Sequence, residues 1–278
     1  MGRYLRYAAL GDSTTFGLGD PVPGGWRGWA RLLAEALATA YDVSFCNLAV
    51  SGATSATVVG SQLADAVAHR PDLVSLVVGV NDVLKSGWDP DRLHEDLVTC
   101  AEELTGAGAV LLTARFHDHA RVLPLPTWIR RPLARRVEAL NEVWDAVHAA
   151  YGGVRVDLGA RPEVWDRRFW SVDRMHPSEL GHRALARAFA AELCGAGLDF
   201  EPPAPTCCGG IPPSWQRDVA WLVAEGAPWL GRRARDLGPW AVRLAVREAR
   251  PVREPREGRA RGGTLAVDGA AGGVGTAG

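Results

Sequence analysis

The chain has 278 residues, of which 47% are hydrophobic and 23% are charged, and its net charge is −1. This composition is typical of a globular protein, and a charge so near zero provides no field that would attract nucleic acid. No apolar run reaches the roughly 20 residues of a membrane span, and the five cysteines show no spacing typical of a disulfide framework.

The beginning of the chain leads directly into a first strand, Tyr7–Leu10, without the apolar region of a signal peptide. This favours a cytoplasmic location. The strand runs into the turn Gly11-Asp12-Ser13. Neither a Gly-x-Gly-x-x-Gly turn nor a Walker A loop follows it, so we expect no nucleotide cofactor.

Strands and helices are predicted to alternate along the rest of the first 197 residues. Further strands are predicted at Val43–Leu48, Asp72–Val78, Ala109–Thr113 and Val154–Leu158. Helical spacing of apolar residues predicts helices at Trp29–Tyr41, Thr54–His69, Pro90–Leu104, Pro132–Tyr151 and Ser178–Cys194. Five strands alternating with helices indicate an α/β fold with a parallel sheet, right-handed crossovers and helices on both faces.

The composition changes after residue 197, and we expect four segments. Residues 1–197 form the α/β domain, residues 198–213 a linker rich in Pro, Gly and Cys, residues 214–249 a helical extension rich in Trp and Arg, and residues 250–278 a disordered tail. The extension is compatible with a peripheral membrane contact, or with helices that pack on the domain or cover its site as a lid. Acidic residues such as Asp218 and Glu225 interrupt its basic face, which favours packing.

The turns that follow the strands carry the polar residues that suggest chemistry. All of them open at the carboxyl edge of a parallel sheet, where ligands bind in such folds. Ser13 follows the first strand, Gly52 the second and Asn81 the third, and Asp173 and His176 follow the fifth. We therefore expect these five residues to converge.

Such a set matches acyl transfer from a serine. The Ser13 hydroxyl needs a base, His176 can accept its proton, and Asp173, three residues earlier, can orient the imidazole. An oxyanion needs fixed donors, which the backbone N–H groups of Ser13 and Gly52 and the side-chain amide of Asn81 can supply. Glycine at position 52 lets the backbone approach the substrate closely.

Each residue also has a structural interpretation. Ser13 can be a helix cap, Asn81 a turn residue with positive φ, and Asp173 with His176 a surface pair at a helix start. The convergence of the turns favours the catalytic interpretation. Asp12 fits a structural role, accepting backbone hydrogen bonds in its turn.

The motifs resemble the four blocks of the SGNH hydrolases, also called GDSL esterases or lipases, in order and spacing over residues 6 to about 195. They are Gly11-Asp12-Ser13, Gly52, Gly79-Val80-Asn81-Asp82 and Asp173-Arg174-Met175-His176-Pro177. Thr14 departs from the family pattern, which has Leu there. The resemblance implies a flavodoxin-like three-layer α/β/α sandwich and hydrolysis of an ester, a thioester or an acetylated sugar through an acyl-enzyme. No Gly-x-Ser-x-Gly elbow of the α/β-hydrolase fold is present.

His117 and His119 follow the fourth strand and are expected on the same side as the site. Their His-x-His spacing suggests metal binding, but no third ligand stands at a suitable spacing, so we expect no metal and favour a contact with substrate or with the rim of the site.

Three functions fit the sequence. The first is a serine esterase acting on a small-molecule ester, small or lipid-like, and the second an acyltransferase or O-deacetylase that uses the same site. The third is a non-catalytic binding or membrane-associated protein whose function resides in residues 214–249. Acyl chain length, leaving group and oligomeric state are not encoded in any motif.

Overall fold

The computed structural model describes residues 3–123, 125–211 and 214–221, and beyond these only residues 223, 231, 235, 238–240, 242 and 243. The predicted tail, residues 250–278, lies outside the described residues, and the predicted extension is described only in part. The division of the chain at residue 197 stays a prediction. None of the helices described in these ranges is long and apolar enough to cross a membrane.

Five parallel strands form the central sheet: β1 (Arg3–Gly11), β4 (Tyr41–Asn47), β5 (Leu73–Val77), β6 (Val110–Arg115) and β7 (Val154–Asp157). Their order in the sheet is β4-β1-β5-β6-β7, which is the flavodoxin-like order. The central strand β5 is wholly buried and its neighbours β1 and β6 are buried over most of their length, as their apolar sequences predict. A short hairpin, β2 (Pro21–Val22) with β3 (Gly25–Trp26), lies between β1 and the first long helix.

Helices cover both faces of the sheet, which confirms the predicted three-layer sandwich. On one face α2 (Gly28–Leu37) packs against α9 (Glu179–Gly195). The other face carries α3 (Ser55–Ser61), α4 (Leu63–His69), α6 (Pro90–Gly106) and α8 (Thr127–Tyr151). Short helices follow strands or loops: α1 (Ser13–Phe16), α5 (Val80–Val83), α7 (His119–Val122) and, after residue 213, α10 (Trp215–Trp221).

Three predicted helices differ by more than two residues from those observed. The helix predicted over Trp29–Tyr41 ends at Leu37, and Tyr41 is the first residue of β4. The helix predicted over Thr54–His69 is two helices, α3 and α4, which meet at Gln62, where φ is −112°. The helix predicted to begin at Pro132 begins at Thr127, so the proline lies inside α8. Proline is favoured in a first helical turn, and that preference misplaced the start.

Residues 198–211 contain no helix or strand and are fixed to the sandwich by charged side chains. Arg27 and Arg183 both donate to the carbonyl oxygen of Cys208. Arg27 also pairs with Asp20 and Glu179 in a buried cluster. All five cysteines are free thiols.

Candidate active site

The turn after β1 presents Ser13 at the carboxyl edge of the sheet. Asp12 caps α1, and its Oδ1 accepts a hydrogen bond of 3.0 Å from the Thr14 backbone N–H. Ser13 is therefore the first residue of a helix, where backbone N–H groups have no partner within the helix. No described residue accepts a hydrogen bond from the Ser13 N–H. The hydroxyl and the backbone N–H of Ser13 therefore both lie at this edge of the sheet.

The buried side-chain amide of Gln62, which lies between α3 and α4, bonds the backbone at the end of β1. Gln62 accepts from the Gly11 N–H at 2.9 Å and donates to the Gly11 carbonyl oxygen at 2.9 Å. The side chain of Gln62 is almost completely buried. The side chain contacts β1 at Gly11, two residues before Ser13. Sequence analysis missed Gln62.

Ser13, His176 and Asp173 form a continuous hydrogen-bonded chain. The Ser13 Oγ lies 2.8 Å from His176 Nε2, and His176 Nδ1 lies 2.6 Å from Asp173 Oδ2. Ser13 and His176 are buried, and the structure brings them together from positions 163 residues apart. This is the arrangement in which a histidine accepts the proton of a serine hydroxyl.

The second oxygen of Asp173 is bound by its own loop. Asp173 Oδ1 accepts from Ser171 Oγ at 2.6 Å and from the backbone N–H groups of Met175 at 2.9 Å and His176 at 3.0 Å. Arg174 reaches the left-handed region, with φ 56°, inside this tight loop. Burial alone raises the pKa of Asp173, but the bonds from His176 and Ser171 outweigh burial and lower it to about 2. Asp173 is therefore ionised at neutral pH. Ser171 is a second contributor that sequence analysis missed.

Of the three expected oxyanion residues, Gly52 lies in a turn and Asn81 in the short helix α5, and these two segments are hydrogen-bonded to each other. The turn Val50–Ala53 has Gly52 at φ 81°, where a Cβ would meet only open space, so the backbone conformation is what requires glycine. No described residue accepts a hydrogen bond from the Gly52 N–H. Asn81 Nδ2 donates to the carbonyl oxygen of Ala53 at 3.0 Å and to Asp12 Oδ2 at 3.3 Å. Asn81 would therefore have to share or release the longer bond to bind an oxyanion.

A pocket of about 60 Å³ begins at Ser13 and His176 and extends to the ends of β5 and β6. Its walls are largely apolar and include Trp29, Phe116, Leu158, Phe169, Trp170 and Phe189. His117 and His119 line the same pocket, as expected from their place after the fourth strand. Their rings stack with centroids 4.0 Å apart, and among the described residues no group of three potential ligands forms around them.

The segment after residue 213 reaches the site. Trp221, the last residue of α10, meets the His176 ring edge-on at a centroid distance of 6.2 Å. Trp215 and Val219 of the same helix are exposed. Contact with a membrane surface through this segment stays a prediction.

The fold and the hydrogen-bonded Ser13–His176–Asp173 chain together indicate a class of protein, a hydrolase on a flavodoxin-like sandwich. The model of the GDSL-like Lipase/Acylhydrolase family matches residues 9–184, and the chain belongs to this family. It is therefore an enzyme of the SGNH esterase type, as the sequence motifs indicate.

Relatives and a solved structure agree with the family assignment. The chain is 26% identical over 176 residues to an acetylxylan esterase of Geobacillus stearothermophilus, an alignment that covers 58% of this chain and 77% of the relative. It is 30% identical over 141 residues to esterase TesA of Pseudomonas aeruginosa, covering 50% of this chain and 63% of TesA. A crystal structure of TesA superposes with a TM-score of 0.56 at 27% identity, over 68% of this chain and 97% of that one.

Proposed function

We propose that the protein hydrolyses carboxylic esters through an acyl-enzyme on Ser13, with His176 as base and acid and Asp173 as its orienting carboxylate. The observation that carries the proposal is the pair of hydrogen bonds at 2.8 Å and 2.6 Å that links the three side chains. Family membership supports ester hydrolysis in general. The assignment of roles to residues rests on the geometry of this chain.

The proposed reaction has two halves. Ser13 Oγ attacks the ester carbonyl carbon while its proton passes to His176 Nε2, and the carbonyl oxygen becomes an oxyanion. Collapse of this intermediate breaks the bond to the alcohol, which leaves with the proton from His176. A water molecule then attacks the acyl-enzyme by the same steps, releases the acid and restores the serine. Asp173 stays ionised and stabilises the imidazolium at each stage.

We propose three donors for the oxyanion: the backbone N–H groups of Ser13 and Gly52 and the side-chain amide of Asn81. The N–H groups of Ser13 and Gly52 have no acceptor among the described residues, which suits a role toward substrate. Donors held by the fold lose no free energy in reorienting when charge develops on the oxygen.

The small volume of the pocket favours esters of short acyl groups as the best substrates. Its volume of about 60 Å³ is far below the roughly 300–1,000 Å³ typical of pockets for larger ligands. Its apolar walls suit an acetyl-sized to butyryl-sized group better than a long chain. Thioesters of the same acyl groups are included in the proposal.

Ser13→Ala tests the assignment. With p-nitrophenyl acetate we expect the variant to lose all triad-dependent hydrolysis, and a fluorophosphonate probe, which labels an activated serine, to label the wild type alone. The matched control is Ser61→Ala, which changes an exposed serine at the end of α3. Hydrolysis that survives Ser13→Ala in a folded protein would contradict the proposal.

A second candidate function is removal of acetyl groups from a carbohydrate or a natural product, or their transfer to another alcohol. The similarity to an acetylxylan esterase at 26% identity favours acetylated sugars among these. Whether water or an alcohol takes the acyl group depends on what reaches the acyl-enzyme. Release of acetate from acetylated xylooligosaccharides, and product analysis with and without an acceptor alcohol, separate the alternatives.

A further inference from the structure

His117 is a buried polar side chain inside the catalytic pocket. It is only 3% exposed, and neither of its ring nitrogens has a hydrogen-bond partner among the described residues. Both an N–H donor and a nitrogen acceptor are therefore enclosed without a partner. Such groups cost free energy unless a water molecule or a ligand satisfies them.

A second residue that lines this pocket, Trp29, also carries a buried polar group without a partner in the described part of the chain. Trp29 is 1% exposed and its Nε1–H has no acceptor among the described residues. Its ring is stacked on Phe189 with centroids 4.6 Å apart, so the indole is held by packing. Trp29 and His117 thus both line one small apolar pocket, and each carries a buried polar group without a partner among the described residues.

The His117 ring is fixed in place by its neighbours. Asn141 accepts from the Phe116 N–H at 2.7 Å and donates to the Phe116 carbonyl oxygen at 2.9 Å, which holds the backbone just before the histidine. The ring of His119 stacks on one side, and Trp170 lies on another at a centroid distance of 5.0 Å. These contacts hold the imidazole in one position at the wall of the pocket.

We propose that His117, together with the Trp29 N–H, binds a hydroxyl group on the part of the substrate that fills the pocket. The preferred substrate is then a hydroxylated short-chain ester and not a plain alkyl ester. This proposal rests on the proposed function, because it assumes that the ester reaches Ser13 through this pocket.

The protonation state of the ring selects the chemical class. Burial, and then the nearby His119, holds the pKa of His117 well below its ordinary value, so the imidazole is neutral. A neutral imidazole offers one donor and one acceptor, which matches a hydroxyl group. It provides no positive charge for a carboxylate or a phosphate.

The hydroxyl group can belong to the acyl or to the alcohol part of the ester, and two pairs of substrates separate these sources. The acyl pair is p-nitrophenyl 3-hydroxybutyrate and p-nitrophenyl butyrate. The alcohol pair is glycerol monoacetate and propyl acetate. Within each pair the readout is the ratio of kcat/KM for the hydroxylated ester to kcat/KM for the plain ester, so a general loss of activity cancels.

We expect the wild type to prefer the hydroxylated member of one pair by about tenfold or more, as sites built to bond a hydroxyl discriminate against analogues without it. His117→Phe keeps an aromatic ring but no polar atom, and should reduce that ratio by about tenfold. His117→Gln keeps a donor and an acceptor and should restore part of it. The matched control is His94→Phe on the exposed surface of α6, which should leave the ratio unchanged.

Two results would overturn the proposal: a wild type that prefers neither hydroxylated ester, or a preference that His117→Phe leaves intact. If His117→Phe fails to fold, Trp29→Phe, which removes the second polar group, is measured by the same ratio and should also lower it. Fluorophosphonate labelling of Ser13 separates this test from the previous one. Labelled enzyme without a preference refutes only the role of His117, whereas unlabelled enzyme refutes the proposed function.

Discussion

Replacement of Asp173 by asparagine isolates the carboxylate of the triad because it removes the charge and keeps the size of the side chain. Asp173 Oδ1 accepts three hydrogen bonds from its own loop. The asparagine oxygen should take that position, which turns the NH₂ group toward His176 Nδ1. The histidine must then carry its proton on Nε2, facing Ser13, and cannot accept the serine proton.

The magnitude follows from losing the correct tautomer. We expect kcat for p-nitrophenyl acetate to fall by about 10³–10⁴, equivalent to about 4–5 kcal/mol of barrier. The carboxylate also contributes to stability, since the pKa of Asp173 is lowered from 3.8 to about 2. That contribution is about 2 kcal/mol above pH 4 and is lost as the pH falls through 3.8 toward 2. The stability difference between wild type and variant should therefore shrink in acid.

Steady-state kinetics at pH 7, with urea unfolding at pH 7 and at pH 3, measures both effects. The matched control is Ser171→Ala, which removes one bond to Oδ1 but leaves the carboxylate, and should lower kcat by no more than about tenfold. If Asp173→Asn kept kcat within tenfold of wild type while Ser13→Ala was inactive, His176 would not depend on this carboxylate and the assigned role would be wrong.

Three further predictions concern residues around the triad. Asn81→Ala should lower kcat by about 10²–10³ with little change in KM, and an unchanged kcat would remove Asn81 from the oxyanion site. Gln62→Leu leaves the Gly11 N–H without an acceptor and removes one of the two hydrogen bonds to the Gly11 carbonyl oxygen, which keeps the bond from the Val50 N–H. It should lower the free energy of unfolding by about 2–3 kcal/mol in urea titration, whereas a loss below about 1 kcal/mol would show that the strand end does not need this amide. His182 is fully buried, and burial lowers its pKa from 6.5 to about 4, so the folded state binds fewer protons and stability falls as the pH drops through 6.5. Between pH 7 and pH 5 the wild type should lose about 2 kcal/mol more than His182→Gln, and parallel pH profiles would contradict this.

The positions of the main site residues could be predicted because a parallel sheet brings the ends of its strands to one edge. Ser13, Asn81 and His176 are distant in sequence, and alternating strand and helix patterns were enough to place them on the same side. The site also depends on α1, a helix of only four residues that begins at Ser13. Apolar periodicity needs more than one turn to be visible, so this helix could not be recognised from the pattern.

The buried amides could not be predicted for a different reason. The side chains of Gln62 and Asn141 each form two hydrogen bonds with the backbone at the end of a strand. Their partners, Gly11 and Phe116, are 51 and 25 residues away in the sequence. In a helical sequence either residue fits a polar surface position, and nothing local distinguishes it from one. Their partners are backbone groups, which carry no side-chain signature. The residues that hold Ser13 and His117 in place are therefore visible only in the folded structure.

Two histidines in one pocket can have different functions because their partners differ. His176 has an ionised carboxylate on Nδ1 and the serine hydroxyl on Nε2, so a proton gained from Ser13 is stabilised by a neighbouring charge. His117 is buried, has no bonded partner among the described residues and has another imidazole stacked on it, which disfavours the charged form. We therefore propose His176 as the proton acceptor in the reaction and His117 as a neutral hydrogen-bonding group toward the substrate. The surroundings of each ring are thus the reason why one histidine is proposed for catalysis and the other for selection of the substrate.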